Sequence, residues 1–115
     1  MTQNSPQTSI VTLINVFTVE PANQQRLVEL LTAATNISVR YAPGFLSSTL
    51  HRSLDGTKVT MYARWSSLEA YQAMRNDSSS APYLVEALSL AKFEPGMYEV
   101  VQTFAPAEKK APDAE

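Results

Sequence analysis

Two runs rich in strand-forming residues, Phe45–Arg52 and Lys58–Trp65, flank Leu54-Asp55-Gly56-Thr57. Asp-Gly supplies the positive-φ positions that a tight antiparallel turn requires, so the runs are predicted to fold back on one another as a hairpin. That pairing fixes the middle of the chain, and every other element has to be arranged around it.

Upstream, Ser9–Val19 is rich in β-branched residues and reads as a first strand. Pro21 ends it and suits the first turn of a helix. Leu27, Leu30, Leu31, Ala34, Ile37 and Tyr41 then recur at three- and four-residue steps. That is one apolar stripe, on a helix running to about Arg40 and stopped by Pro43-Gly44. Downstream of the hairpin, Ser66 or Ser67 caps a helix from Leu68 to about Asn76, with Glu69 in its acid-favouring first turn. Asp77-Ser78-Ser79-Ser80 interrupts it, and a short helix carrying Tyr83, Leu84, Ala87, Leu88 and Ala91 follows. Glu94-Pro95-Gly96 reads as a turn and Met97–Phe104 as a fourth strand.

The order β-α-β-β-α-β predicts an α+β fold, a ferredoxin-like βαββαβ sandwich with an antiparallel four-stranded sheet. Strands one and three form its central pair and both helices cover one face. The 115 residues suffice for one domain with a real core. Residues 1–8 are expected to be a flexible N-terminal arm, residues 9–104 the domain, and the Pro-, Ala- and charge-rich residues 105–115 a flexible C-terminal tail.

Alternation places Leu46, Ser48, Leu50 and Arg52 on one side of strand two, and Phe45, Ser47, Thr49 and His51 on the other. Strand four alternates Met97, Glu99, Val101 and Thr103 with Tyr98, Val100, Gln102 and Phe104. Neither strand has a wholly solvated face, so a second copy of the chain is expected to cover the sheet surface that the helices leave open, giving a homodimer. Thr60, Tyr62 and Arg64 are assigned to that side.

Composition removes several classes of function. A net charge of −2 offers no attraction to nucleic acid or anionic membrane. With no cysteine there is no disulfide, thiolate metal site or cysteine nucleophile. The three glycines are far apart and each sits at a turn, so no phosphate-cradling loop exists. One histidine cannot build a two-His metal site, and no convincing carboxylate pair is visible. No run is long enough to span a bilayer, the N-terminus has no secretory pattern, and a cytoplasmic location is expected. No metal and no bound cofactor is expected.

What remains is an aromatic junction. Trp65, the only Trp, closes strand three, and Tyr71 follows six residues later on a Ser-started helix. Both rings bury apolar area while their polar tips reach for partners, which suits a pocket for a flat, oxygenated aromatic molecule or the plug of an ordinary core. Met61 shares the strand face of Trp65, and Tyr71, Met74 and Leu84 can close over it; Tyr83 is a further candidate on the same helical region. Asn15 is a polar residue in an apolar central strand, so its amide either bonds a side chain or faces a cavity. His51 could take a proton from a phenol, or be a half-buried histidine bonded to a neighbouring strand or to the dimer mate.

The ordered set Pro43-Gly44-Phe45, Phe45–Thr57, Tyr62-Ala63-Arg64-Trp65 and Glu69-Ala70-Tyr71 resembles the antibiotic biosynthesis monooxygenase family, over about Ile10 to Phe104. The resemblance implies a dimeric α+β barrel of ferredoxin-like protomers. It implies a cofactor-independent monooxygenase that oxidises a phenolic or quinol aromatic, of polyketide kind, with O₂. Trp65 and Tyr71 match the family's substrate-contacting aromatics, with Asn15, Met61, Tyr83 and Leu84 as further substrate-binding candidates and His51 as a candidate base. Two positions depart from the pattern of members that oxidise polyketide phenols. Those often carry Asn where this chain has Met61, and an Arg where it reads Leu84-Val85-Glu86. A related haem-degrading branch shares Asn15 and Trp65, but no histidine follows Trp65 here to ligate iron. The alternatives are a non-catalytic binding or stress-response module on the same scaffold, and a cofactor-free isomerase or lyase in which His51 shuttles a proton.

Overall fold

The computed structural model describes residues 10–107. The expected N-terminal arm and most of the expected tail lie outside them.

The hairpin forms as the sequence requires. β2 (Phe45–Arg52) pairs antiparallel with β3 (Lys58–Trp65), and Gly56 takes φ +85° in the connection. Asp55 Oδ1 organises this turn by accepting from the Thr57 backbone N–H at 3.0 Å and from the Thr57 and Ser53 hydroxyls at 2.7 and 2.9 Å. β3 also pairs antiparallel with β1 (Val11–Val19) along its whole length. The sheet order is β2-β3-β1-β4, the ferredoxin-like arrangement, with β4 at Ala91–Glu94.

α1 (Gln24–Ile37) and α3 (Ala81–Leu90) pack on one face of the sheet. Their contribution to the core is Leu27, Leu30, Leu31 and Ala87 against Phe17, Val19 and Val59. A second cluster joins Leu13, Ala63 and Trp65 to Tyr71 of α2 (Leu68–Arg75). Ser67 caps α2 through its hydroxyl, which accepts from the Ala70 N–H at 3.0 Å. Gln24 pins the start of α1 to the hairpin: its buried Nε2 donates to the carbonyls of Ser53 and Lys58 at 3.1 and 3.0 Å. No helix among the described residues is long and apolar enough to cross a membrane.

Two expectations change. The first is the last strand. Ordered pairing begins earlier, directly after α3: Ala91–Glu94 pairs with Val16–Val19, and Phe93 stacks on Phe17 with ring centroids 4.8 Å apart. Pro95 has no N–H for the ladder and interrupts it; the Gly96 carbonyl accepts from Ile14 N–H at 3.0 Å, and β5 (Met97–Tyr98) resumes the same edge against Thr12 and Leu13. Pro95-Gly96 is thus a break within one edge rather than a turn between helix and strand. Residues 99–107 take no regular structure and are exposed.

The second is the parity of β2. The register shifts between Phe45 and Ser47, so Phe45 faces Trp65 while Ser48, Leu50 and Arg52 lie opposite Ala63, Met61 and Val59. One bulged residue moves the rest of the strand to the other face. Ser47, Thr49 and His51 therefore oppose Arg64, Tyr62 and Thr60, away from the helices.

Candidate functional site

Between the sheet and the helices lies a chamber of about 190 Å³. Its floor follows from strand alternation. Register puts Asn15 opposite Met61 and Leu13 opposite Ala63, all on the helix-facing side with Trp65. β2 adds Phe45 and Ser48, and α1 adds Leu31, Ala34 and Thr35 as a wall. Tyr71, Met74 and Arg75 enter from α2. Leu84 and Leu88 of α3, with Phe93, border the mouth and are themselves exposed.

Trp65 is 1% exposed and Tyr71 6%, yet both border this space. Their rings meet edge to face at 5.8 Å and 68°, and Phe45 meets Trp65 in the same way at 5.4 Å and 73°. Such contacts hold each ring in one orientation. Asn15 Oδ1 is buried in the floor with no hydrogen-bond partner. An unpaired buried acceptor is costly, and Asn15 is the one amide that borders the chamber.

Two charged side chains line the mouth. Arg75 Nη1 donates to the Tyr71 hydroxyl at 3.0 Å, and its guanidinium carbon sits 5.8 Å from the centroid of the Tyr71 ring. The Asp77 carboxylate accepts from the Ser79 backbone N–H and hydroxyl at 2.9 and 2.8 Å, and these bonds hold its carboxyl below the ordinary value. It is therefore ionised at neutral pH.

The structure brings together Asn15, Met61, Trp65, Tyr71 and Leu84 from the sequence-derived set. It does not bring His51 or Tyr83 with them. His51 is exposed on the opposite face of the sheet, across from Thr60, because of the β2 bulge. Tyr83 is half-buried against the Phe17–Leu27 core cluster and does not border the chamber. The residues that sequence reasoning missed are Arg75, Asp77, Ser48, Thr35 and Phe93. Arg75 was within reach, since four residues after Tyr71 is one helical turn. No group of three or more metal-ligating side chains occurs among the described residues.

The family model for antibiotic biosynthesis monooxygenase matches residues 10–80. Tetracenomycin-F1 monooxygenase of Streptomyces glaucescens is 37% identical over 100 residues, covering 87% of this chain and 89% of that one. A monooxygenase of Streptomyces coelicolor, solved in complex with nanaomycin D, superposes with a TM-score of 0.73 at 34% identity, over 90% of this chain and 97% of that one. SnoaB, a cofactor-independent oxygenase of Streptomyces nogalater, superposes with a TM-score of 0.69 at 25% identity, over 85% and 99%.

Proposed function

The chain belongs to the antibiotic biosynthesis monooxygenase family, and from that premise we propose that it is a cytoplasmic, homodimeric, cofactor-independent monooxygenase. It oxidises a phenolic or quinol ring of a polycyclic, polyketide-like molecule with O₂. The observation that carries this reading is the Trp65–Tyr71 chamber with the unpaired Asn15 acceptor in its floor.

The chemistry balances without a further redox partner. Conversion of a phenol to a quinone removes four electrons, the number needed to take O₂ to one carbonyl oxygen and one water. Ionisation of the phenol makes the ring electron-rich enough to pass the first electron to O₂. The protein then has to hold the anion, orient it and keep bulk water away from the reacting carbon. Trp65 and Phe45 supply apolar walls, Tyr71 a hydroxyl, and Asn15 a carboxamide. At about 190 Å³ the chamber is smaller than the roughly 300–1,000 Å³ of most small-molecule sites. A polycyclic substrate therefore places its reacting ring inside and its distal rings at the apolar mouth, against Leu84, Leu88 and Phe93.

The lining contains no histidine, so the phenolic proton leaves through the mouth to solvent rather than to an imidazole. That weighs against an isomerase in which His51 shuttles protons. The test is O₂ consumption with an anthrone or a naphthalenediol in air. Turnover well above the uncatalysed rate is expected, falling at least tenfold in Trp65→Phe, which keeps the apolar ring and loses the indole N–H. A wild-type rate no faster than buffer, together with tight binding of the same compounds, would instead establish a binding module; Met61, where phenol-oxidising members often carry Asn, is the feature that favours that outcome. Anaerobic conversion would establish isomerase or lyase chemistry.

A further inference from the structure

Arg75 is the last residue of α2, one turn beyond Tyr71. It makes no ion pair with a carboxylate among the described residues; the pairs there belong to Arg26, with Glu29 and Glu86. Its nearest acidic neighbour in sequence at the mouth, Asp77, is turned to Ser79. Arg75 therefore presents an uncompensated guanidinium where an apolar chamber opens to solvent. A guanidinium has five N–H donors and no acceptor, and one of them is committed to Tyr71.

That single bond has a directional consequence. Because the Tyr71 oxygen accepts from Arg75, its own O–H is left to donate. Donation into the oxygen from a cation polarises that O–H and strengthens it as a donor. The partner that satisfies a strengthened O–H beside a cation is an anionic oxygen. The chamber floor carries the Asn15 carboxamide, which is neutral and has both an acceptor in Oδ1 and donors in Nδ2. The two ends of the site thus differ in charge: the floor is neutral, and an ionised oxygen fits at Tyr71 beside Arg75.

We propose that Arg75 is a positioning residue for the oxidation. Acting through the Tyr71 hydroxyl and with its remaining N–H groups, it holds the ionised oxygen of the substrate at the mouth side of the chamber. It supplies from the end of α2 the donor capacity that Met61 and Leu84-Val85-Glu86 do not provide. The inference rests on the phenol-oxidation reading for the identity of the anion, and it is measured without turnover.

The experiment is an anaerobic absorbance titration of 1-naphthol bound to the protein, since naphtholate and naphthol absorb at different wavelengths. The wild-type protein is expected to lower the pH of naphthol ionisation by about one unit relative to free naphthol, the size of a charge-assisted hydrogen bond. Arg75→Gln should raise it again, a roughly tenfold change in ionisation constant, and Arg75→Lys should recover part of the shift. Asp77→Asn, which removes the competing negative charge, should lower it further. The methyl ether of the same compound, which cannot ionise, should bind wild type and Arg75→Gln within about twofold, as expected for a contact that acts on charge alone. The proposal is overturned if Arg75→Gln ionises bound naphthol at the wild-type pH. It is also overturned if the variant loses the ether as strongly as the naphthol, which marks a packing role, or if wild type binds neither compound. A normal naphthol shift in a protein that consumes no O₂ would sink the oxygenase reading and leave only the hold of Arg75 on a phenolate standing.

Discussion

The Asn15 carboxamide puts an acceptor without a partner in the floor of the chamber. Leaving it unpaired costs about 1–3 kcal/mol, a cost that a ligand-free fold would do better to avoid. Asn15→Leu removes the orphan and keeps the side-chain volume, so the variant is expected to unfold at a higher temperature than wild type. A gain of 1 kcal/mol corresponds to roughly 4–8 °C in a domain of this size. The same change should weaken binding of a phenolic ligand, because the one carboxamide bordering the chamber is gone. Calorimetry and a binding titration check the two halves, and a variant that is less stable yet binds as tightly as wild type would show that Asn15 serves the core rather than the site. Trp65 demands a milder substitution. It fills the junction of β1, β3 and α2, and truncation to Ala costs about 3–5 kcal/mol, a large share of the stability of a small domain. Trp65→Phe is therefore the variant whose activity is interpretable.

Elements, rather than single residues, decide whether Tyr71 meets Trp65. Gly44 sits at φ +89° at the approach to β2, and its carbonyl accepts from the Ser66 N–H at 2.8 Å. A Cβ there would lie 2.4 Å from Ala70 Cβ and 2.8 Å from Ser66 Oγ. The Ala70 methyl cannot rotate away, so Gly44→Ala pushes α2 off the sheet in addition to the roughly 1–3 kcal/mol cost of left-handed backbone. A lower denaturation midpoint and red-shifted Trp65 emission are expected, and unchanged emission would count against α2 being wedged this closely. At the other end of β2 and β3, hydrogen bonds from Thr57 and Ser53 hold the Asp55 carboxyl at about 2, below its ordinary 3.8. A depressed carboxyl stabilises the fold above its unfolded value and loses that contribution as pH falls through the folded one. Wild type should thus be more stable than Asp55→Ala near neutrality, with the gap closing between about pH 4 and pH 2 in acid titrations of unfolding; a gap independent of pH would mean that shape alone holds the turn. The hairpin was legible because Asp-Gly between two strand runs has few other solutions, and Trp65 and Tyr71 because large aromatics close to a strand end have few places to go. Strict alternation from Phe45 puts His51 on the same face as Phe45, but a bulge that leaves no mark in Phe45-Leu46-Ser47 turns it to the opposite one. The early start of the last strand is not legible because Lys92-Phe93-Glu94 is too short to announce itself; it is held by stacking of Phe93 on Phe17, a contact between distant parts of the chain.

At the scale of the whole molecule, the helices cover one face of the sheet and leave the other to Ile14, Val16, Thr60, Tyr62 and Arg64, all partly exposed. Beyond β5, residues 99–107 pair with no strand among the described residues, and Val101 and Phe104 are 84% and 86% exposed. Apolar residues this exposed on an extended segment have a hydrophobic cost that burial would remove. A second copy would supply both the cover for the open face and a surface for this segment, in keeping with the homodimer of the proposed function. If so, the dimer and the chamber are coupled through β5, which pairs with Thr12 and Leu13, and Leu13 lines the chamber. Truncation after Glu99 is expected to weaken self-association at least tenfold by sedimentation, and to reduce the dependence of thermal stability on protein concentration. Phe104→Asp with Val101→Asp should act in the same direction without shortening the chain. A truncated chain that associates as tightly as the full one would assign the interface to the sheet face alone. A full-length chain that stays monomeric at micromolar concentration would remove the twofold assembly, while leaving the chamber, which is built from one copy, in place.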